Sequence, residues 1–270
     1  VTALPVSATG TEPLYKSAYG SKEEAKLAGA ELNVRIAEEG TVLLKNENQT
    51  LPLKEAKKVT VFGYASMSST ASASESGDNS AGTVRLNANV YSSLEDAGFE
   101  VNPVVKESYE NWAADENVNS DADTVGLAFE ENKSAETGWD ESLTEYGDAA
   151  VLVFAGGTTE ERTHSLQLDE AQYAIVDFAK ERFESVIIVV ASSQPLEIPQ
   201  LQSDAGVDAI LVVGDPGDNG YEALGRILNG EVNPSGRTVD LWATDFTATP
   251  SYVNYNAAND GTYGYGRYTV

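Results

Sequence analysis

The chain of 270 residues contains no cysteine and a single histidine, His164. The absence of cysteine excludes disulfide bonds, thiolate zinc sites and cysteine nucleophiles. With one histidine, a histidine-based metal site or a Ser-His-Asp triad is hard to assemble. We therefore expect no bound metal ion, and we interpret His164 as a structural or exposed residue.

Basic residues and long apolar runs are also scarce. The sequence has 17 Lys and Arg against 43 Asp and Glu, which gives a formal net charge of -26. Such a negative surface repels phosphate backbones and anionic lipid headgroups, so we expect neither a nucleic-acid partner nor a membrane partner. A neutral carbohydrate is compatible with this charge. Apolar runs such as "VIIVVA" and "AILVVG" have the length of a strand and are too short to cross a bilayer.

Runs of Val, Ile and Leu alternate with amphipathic helical patterns along much of the chain. A parallel sheet covered on both faces produces this alternation. We predict an α/β fold, namely a three-layer α/β/α sandwich with a mostly parallel sheet of about six strands. The predicted strands include 59–65, 99–104, 149–155, 185–191, 207–214 and 238–243.

Capping signals predict where several helices begin and end. Ser21 followed by Glu24 is a capping-box pattern, and the helix that it starts is expected to end at Gly40. Asp169 with Gln172 predicts a second helix start, and Gly230 is expected to close the helix "YEALGRILNG".

The stretch "AGGTTEERTH" (155–164) follows the predicted strand 149–155. Its side chains are therefore expected at the carboxyl edge of the sheet, where such folds bind ligands. A carboxylic acid with a raised pKa could protonate a leaving group there, which makes Glu160 and Glu161 candidate catalytic residues. The alternative is a solvated turn with a local ion pair to Arg162. From the residues alone, the turn is the better interpretation.

The stretch "GDPGDNG" (214–220) occupies the position of a dinucleotide-binding loop, between a strand and a helix. Its glycines have the wrong spacing, and its aspartates would repel a pyrophosphate. The chain also has no P-loop motif. We therefore expect no cofactor.

Several longer stretches together resemble one known family. They are "RIAEEGTVLLKNENQTLPL" (35–53), "VTVFGYAS" (59–66), "SLEDAGFEVNP" (93–103), "SLQLDEAQ" (165–172) and "VDAILVVGDPGDNGYEALGRILNGEVNPSGRTVDLW" (207–242). In this order they are similar to the α/β sandwich domain of family 3 glycoside hydrolases. The resemblance covers about residues 21–255. It divides the chain into a tail or linker (1–20), the sandwich domain (21–255) and an extension toward a following domain (256–270).

The resemblance implies an enzyme of two domains. A (β/α)8 barrel of the same protein would bind the sugar and supply the nucleophile, while the sandwich supplies the general acid/base. The phrase "GRTVDLWATDFTATPSYVNY" is closest to the clostridial branch, in which the sandwich precedes the barrel. The implied parent is a retaining β-glucosidase-like enzyme, of which this chain alone is expected to be inactive. The alternative is a non-catalytic carbohydrate-binding or scaffold module. An extracellular or cell-surface location in a bacterium is slightly favoured over the cytoplasm.

The family's G-E-G-x-D-R motif, whose glutamate is the acid/base, corresponds here to a shortened stretch. Anchoring the comparison on the strand puts Glu160 at the acid/base position. Anchoring it on Arg162 puts Glu161 on the motif's aspartate and leaves Thr158 at the acid/base position. We prefer Glu160, with Glu161 as the next candidate and Arg162 as a substrate contact.

A second stretch of the resemblance concerns substrate contacts. "ESGDNSAGTVRLN" (75–87) resembles the family's glycine-serine loop near the barrel, which makes Ser80 and Gly82 candidate substrate-binding residues. A merely flexible surface loop is the alternative for this stretch.

Overall fold

The computed structural model describes residues 17–67, 89–114, 139–155, 166–192 and 194–249. Within these ranges the chain forms seven α-helices and six strands. The helices are α1 (Lys22–Gly40), α2 (Val90–Asp96), α3 (Pro103–Ala114), α4 (Trp139–Glu145), α5 (Glu170–Lys180), α6 (Pro199–Ser203) and α7 (Glu222–Leu228). The strands are β1 (Val42–Asn46), β2 (Lys58–Phe62), β3 (Glu100–Val101), β4 (Ala149–Ala155), β5 (Val186–Ala191) and β6 (Ala209–Val212). Short 3-10 helices lie at Glu47–Gln49, Tyr64–Met67 and Phe246–Ala248.

The six strands form one sheet in the order β1-β6-β5-β4-β2-β3. Strand β1 runs antiparallel to β6 at one edge, and all other neighbouring pairs are parallel. All six residues of β5 are buried, because helices cover both faces of the sheet. The predicted α/β fold with a mostly parallel sheet is therefore confirmed.

Two apolar layers hold the helices against the two faces of the sheet. Alternate residues of each strand enter opposite layers, so that Leu152 faces one layer and Val151 the other. The first layer contains side chains of α3, α4 and α5, including the aromatic cluster of Phe62, Trp139 and Phe178. The second layer contains side chains of α1, α2 and α7. Helix, sheet and helix thus form three layers.

Local hydrogen bonds at the predicted helix starts explain why these helices begin where they do. The Ser21 side chain accepts from the Glu24 N–H, and Asp169 and Gln172 form a reciprocal capping box at α5. Gly230, with a φ of +86°, follows α7 as expected for a helix end. These three predictions are confirmed.

The predicted strand 238–243 is wrong, because no residue between 237 and 243 pairs in the sheet. The Gly236 N–H donates to the Thr41 carbonyl, and Trp242 packs on the first apolar layer. Between these two attachments Val239 and Leu241 are 96% and 97% exposed. The alternating pattern therefore reflects β propensity without a pairing partner in the described chain.

Further strands are shorter than predicted, among them β6, which spans Ala209–Val212 rather than 207–214. β2 ends at Phe62 rather than at residue 65, because Gly63 turns the chain with a φ of +96°. β3 ends at Val101, because the Asn102 side chain accepts from the N–H groups of Val104 and Val105 and so begins α3.

None of the helices in the described ranges is both long and apolar enough to span a membrane.

Candidate functional site

The carboxyl ends of the parallel strands form the edge where the sequence places the candidate site. The predicted site residues, Glu160, Glu161, Arg162, Ser80 and Gly82, all lie outside the described residues, as does His164. The described chain still locates the points from which their segments start. The segment 156–165 follows β4, and the segment 68–88 follows the 3-10 helix after β2. Because β2 and β4 are paired neighbours, both segments start at adjacent strand ends.

The turn after β2 is held by buried hydroxyl groups. A Cβ on Gly63 would lie 2.1 Å from the Val153 carbonyl oxygen, so β4 and this turn approach as closely as glycine allows. The Gly63 N–H donates to the Tyr109 hydroxyl at 2.9 Å, and the Ser66 hydroxyl donates to the Gly63 carbonyl at 2.7 Å. The Tyr91 hydroxyl lies 3.0 Å from the Ser66 hydroxyl.

Burial raises the pKa of both tyrosine hydroxyls, Tyr91 and Tyr109, far above their ordinary value. Both groups are therefore neutral hydrogen-bonding partners at physiological pH. They hold the turn at Gly63–Ser66 in place and do not provide a proton donor near neutrality.

A buried carboxylate lies on the other side of the same edge. Glu197 follows β5 and is only 5% exposed. One carboxylate oxygen accepts from the Gln167 side-chain amide at 2.6 Å, and the other accepts from the Phe246 N–H. The Glu197 N–H donates to the Leu166 carbonyl at 2.7 Å. Glu197 thus connects the chain directly after the segment 156–165 with the segment around Phe246.

The loop after β6 uses its glycines for packing within the protein. Asn33 on α1 donates to the Pro216 carbonyl at 2.7 Å and accepts from the Asn219 N–H at 2.9 Å. A Cβ on Gly220 would lie 2.1 Å from the Pro216 carbonyl oxygen. The loop is therefore folded on itself and on α1. Among the described residues, no group of three or more His, Asp and Glu side chains is placed to hold a metal ion.

The amino ends of the strands form the opposite edge, which contains exposed charged side chains. The Asp148 carboxylate accepts from the N–H groups of Lys57 and Lys58 at 2.7 and 2.8 Å. The hydrogen bond from the Lys58 N–H, followed by that from the Lys57 N–H, holds the pKa of Asp148 below its usual value. Lys180 pairs with Asp204 at 2.6 Å, and this hydrogen bond raises the pKa of the lysine.

The architecture defines a class of protein, the α/β domain with helices on both faces of its sheet, in which ligands commonly bind at the carboxyl ends of the strands. The particular family follows from comparison with known proteins. Residues 41–269 match the family described as the glycosyl hydrolase family 3 C-terminal domain. The chain belongs to glycosyl hydrolase family 3, which confirms the resemblance seen in its sequence.

Curated relatives include two bacterial enzymes. Beta-glucosidase A of Butyrivibrio fibrisolvens is 26% identical over 269 aligned residues, covering 89% of this chain and 32% of that protein. The thermostable beta-glucosidase B of Acetivibrio thermocellus is 29% identical over 259 aligned residues, covering 92% of this chain and 31% of that protein. The chain therefore spans about a third of the length of these relatives.

Solved structures share the fold. Beta-glucosidase 3B from Thermotoga neapolitana, in complex with α-D-glucose, matches with a TM-score of 0.65 and 20% identity. The match covers 86% of this chain and 32% of that one. Beta-glucosidase from Listeria innocua, in complex with isofagomine, matches with a TM-score of 0.55 and 23% identity over 82% of this chain and 27% of that one. At these identities the likeness concerns the fold alone.

Sequence reasoning missed the residues that build the described part of the edge. Each of these side chains forms a hydrogen bond to a group that is distant in the sequence. Tyr109 bonds to Gly63, 46 residues away, and Glu197 bonds to Phe246, 49 residues away, while the partners of Asn33 are at least 183 residues away. No local pattern therefore indicates their role. A weak signal exists for Glu197 alone, since a glutamate between Leu196 and Ile198 interrupts an apolar stretch. Such an interruption indicates a buried polar group with specific partners.

Proposed function

We propose that this chain is the sandwich domain of a retaining β-glycosidase of the β-glucosidase type. In this proposal Glu160 is the general acid/base, and a (β/α)8 barrel of the same full-length protein completes the active site. The membership in family 3 and the similarity to proteins named beta-glucosidases support it. One observation carries the proposal. The segment that contains Glu160 starts at the carboxyl end of β4, and the segment that contains Ser80 and Gly82 starts at the adjacent end of β2.

The proposed reaction needs two carboxyl groups about 5 to 5.5 Å apart. Glu160 protonates the leaving oxygen while the nucleophile of the barrel attacks the sugar. It then acts as a base and activates the water that releases the sugar from the nucleophile. Arg162, Ser80 and Gly82 are proposed to contact the neutral carbohydrate, and Glu161 is the second candidate for the acid/base.

The test compares Glu160→Gln with the matched control Glu161→Gln in the full-length protein. Without its acid, the enzyme should lose at least about 100-fold in kcat/KM on methyl β-glucoside, whose leaving group must be protonated. The kcat/KM on dinitrophenyl β-glucoside should change little, because this leaving group departs without a proton. Azide should then raise kcat on the dinitrophenyl substrate by replacing the water that Glu160 no longer activates.

The control separates the two adjacent glutamates. Glu161→Gln is expected to keep the wild-type ratio of the two kcat/KM values. If Glu161→Gln shows the leaving-group dependence and azide rescue instead, the acid/base role moves to Glu161. If neither variant shows them, the non-catalytic carbohydrate-binding or scaffold module becomes the better interpretation.

A second experiment addresses the completeness of the site. The purified 270-residue chain should not hydrolyse nitrophenyl β-glucoside, because a retaining pair needs the nucleophile that we assign to the barrel. Turnover by the chain alone that is abolished by Glu160→Gln would contradict the division of the active site between two domains.

A further inference from the structure

Glu197 is a buried carboxylate on the carboxyl edge with no role in the mechanism so far. It is 5% exposed, and its two oxygens accept from Gln167 and from the Phe246 N–H. Burying an ionised carboxylate is costly unless its oxygens are hydrogen-bonded. A glutamine at this position would meet a smaller penalty, so a glutamate here is a costly solution that needs a reason.

The backbone around Glu197 extends the central ladder of the sheet. The pairing of β4 with β5 ends at Ala155↔Ala191, and the chain after β4 returns to pair again at the parallel bridge Gln167↔Glu197. The Glu197 N–H donates to the Leu166 carbonyl at this second contact. Both ends of the chain between Ala155 and Leu166 are therefore attached to β5 or to its direct continuation.

The side chain of Glu197 adds a third attachment, to the segment that follows the domain core. Phe246 begins the 3-10 helix Phe246–Ala248, which Asp245 caps by accepting from the Thr247 N–H at 2.9 Å. Phe246 contributes its N–H to Glu197. Neighbouring Leu196 and Ile198 are buried in the first apolar layer, so the Glu197 backbone is fixed from both sides. One carboxylate thus fixes the relative placement of residues 166–167 and 246.

We propose that Glu197 is a positioning residue for the glycosidase reaction, holding the chain beyond the Glu160 segment in one geometry relative to β5 and to Phe246. This inference rests on the proposed function. A positioning group acts through geometry, and a displacement of about 1 Å at the reacting groups can cost about 100-fold in rate. The bidentate use of the carboxylate explains why a charged group is retained, since hydrogen bonds to charged acceptors are stronger than neutral ones.

The test uses the full-length protein and the same two substrates. Glu197→Ala should lower kcat/KM on methyl β-glucoside by about 10- to 100-fold, because a misplaced acid protonates the leaving oxygen poorly. It should lower kcat/KM on dinitrophenyl β-glucoside by less than about threefold, since that step needs no acid. The control is Asp148→Ala, which removes a carboxylate that also accepts backbone N–H groups, but at the opposite edge. This control should keep the wild-type ratio of the two values.

An exchange of the two side chains tests the bond itself. Gln167→Glu alone places two carboxylates together and should reproduce the defect of Glu197→Ala. The double variant Gln167→Glu/Glu197→Gln restores an amide-to-carboxylate hydrogen bond and leaves an amide oxygen for the Phe246 N–H. It should bring the ratio of the kcat/KM values on the two substrates to within about threefold of the wild-type ratio. No recovery by the exchange would overturn the proposal.

A measurement that does not depend on activity covers the case of a poorly folded variant. Hydrogen exchange of Glu197→Ala should show loss of protection in the peptides that contain 166–168 and 246–249, because both hydrogen bonds of the carboxylate are removed, with little change in β5. Unchanged protection in both peptides would contradict the connection. If Glu160→Gln shows the leaving-group dependence while Glu197→Ala lowers kcat/KM equally on both substrates, the proposed positioning role of Glu197 is wrong and the acid/base assignment stands. If Glu160→Gln shows no such dependence, the proposed function fails first.

Discussion

The two edges of the sheet are held together by different kinds of interaction. At the amino edge, Asp148 directly precedes β4 and Asp208 directly precedes β6, and each accepts N–H groups at the start of a neighbouring strand. At the carboxyl edge, Tyr109 reaches in from α3, Asn33 from α1 and Glu197 from the loop after β5. Exposed or partly exposed groups dominate the first edge, and Tyr109 and Glu197 at the second are buried.

The two edges therefore differ in how much each interaction is expected to contribute to stability. Exposed carboxylates at the amino edge are screened by water and salt, so each contributes little. Buried groups at the carboxyl edge lose more when a partner is removed, because an unsatisfied buried group keeps its full desolvation penalty. The edge proposed to face the barrel is therefore the more rigidly specified one.

The largest effect is expected at the turn after β2. Gly63→Ala adds a Cβ 2.1 Å from the Val153 carbonyl oxygen at a φ of +96°, and the chain should lose about 3 kcal/mol or more of unfolding free energy. Gly214→Ala is the control, because its φ is +67° and no atom lies within 4 Å of the added Cβ. It should lose only about 1 kcal/mol. Urea unfolding measures both losses of free energy. Equal losses would show that the positive φ alone, and not the contact with Val153, destabilises the Gly63→Ala variant.

A smaller effect is expected for a buried hydroxyl with a partner. Tyr109→Phe leaves the buried Gly63 N–H without its acceptor and should cost about 1 to 2 kcal/mol. Tyr221→Phe is the matched control, since the buried Tyr221 hydroxyl has no hydrogen-bonding partner among the described residues. Its removal should be neutral or stabilising. A larger loss for Tyr221→Phe than for Tyr109→Phe in urea unfolding would break the ranking.

The smallest effect is expected at the amino edge. Asp148→Asn should lower the unfolding free energy at pH 7 by less than about 1 kcal/mol, because the carboxylate is exposed and screened. The Lys58 and Lys57 N–H groups hold the pKa of the Asp148 carboxyl below its ordinary value of 3.8. Its contribution is therefore present above pH 3.8 and is lost as the pH falls through the lower folded value.

The pH and salt dependence distinguish the two edges directly. The stability difference between wild type and Asp148→Asn should shrink toward zero under acid conditions and should also decrease in high salt. The difference between wild type and Tyr109→Phe should persist in both, because the Tyr109 hydroxyl stays neutral there. A salt-independent difference for Asp148→Asn would place this group with the buried interactions of the other edge.

The fold was largely predictable, since its signals are local. Continuous apolar runs predicted β4, β5 and β6, and capping residues such as Ser21 and Asp169 predicted helix starts. Alternation failed for 238–243, where Val239 and Leu241 have strand-like spacing but no strand beside them. A strand needs a pairing partner as well as a suitable sequence, and that partner is a property of the tertiary structure.

The candidate site was likewise predictable only in part. Glu160, Glu161, Arg162, Ser80 and Gly82 came from motifs and from the family resemblance, and their roles remain predictions. The residues that support the described edge came from the structure alone. No spacing in the sequence connects Glu197 with both Gln167 and Phe246, because their proximity arises only after β5 and its continuation are in place.

Patterns in the sequence predict the alternation of strands and helices, the positions of several helix ends and the family resemblance. These features depend on periodicity and on short-range hydrogen bonds, which a linear pattern records. The folded chain shows in addition that β2 and β4 are neighbours, and that buried groups from distant parts of the chain meet at the carboxyl edge of the sheet. The physical reason is that such contacts are selected by packing and by the cost of leaving buried polar groups unsatisfied.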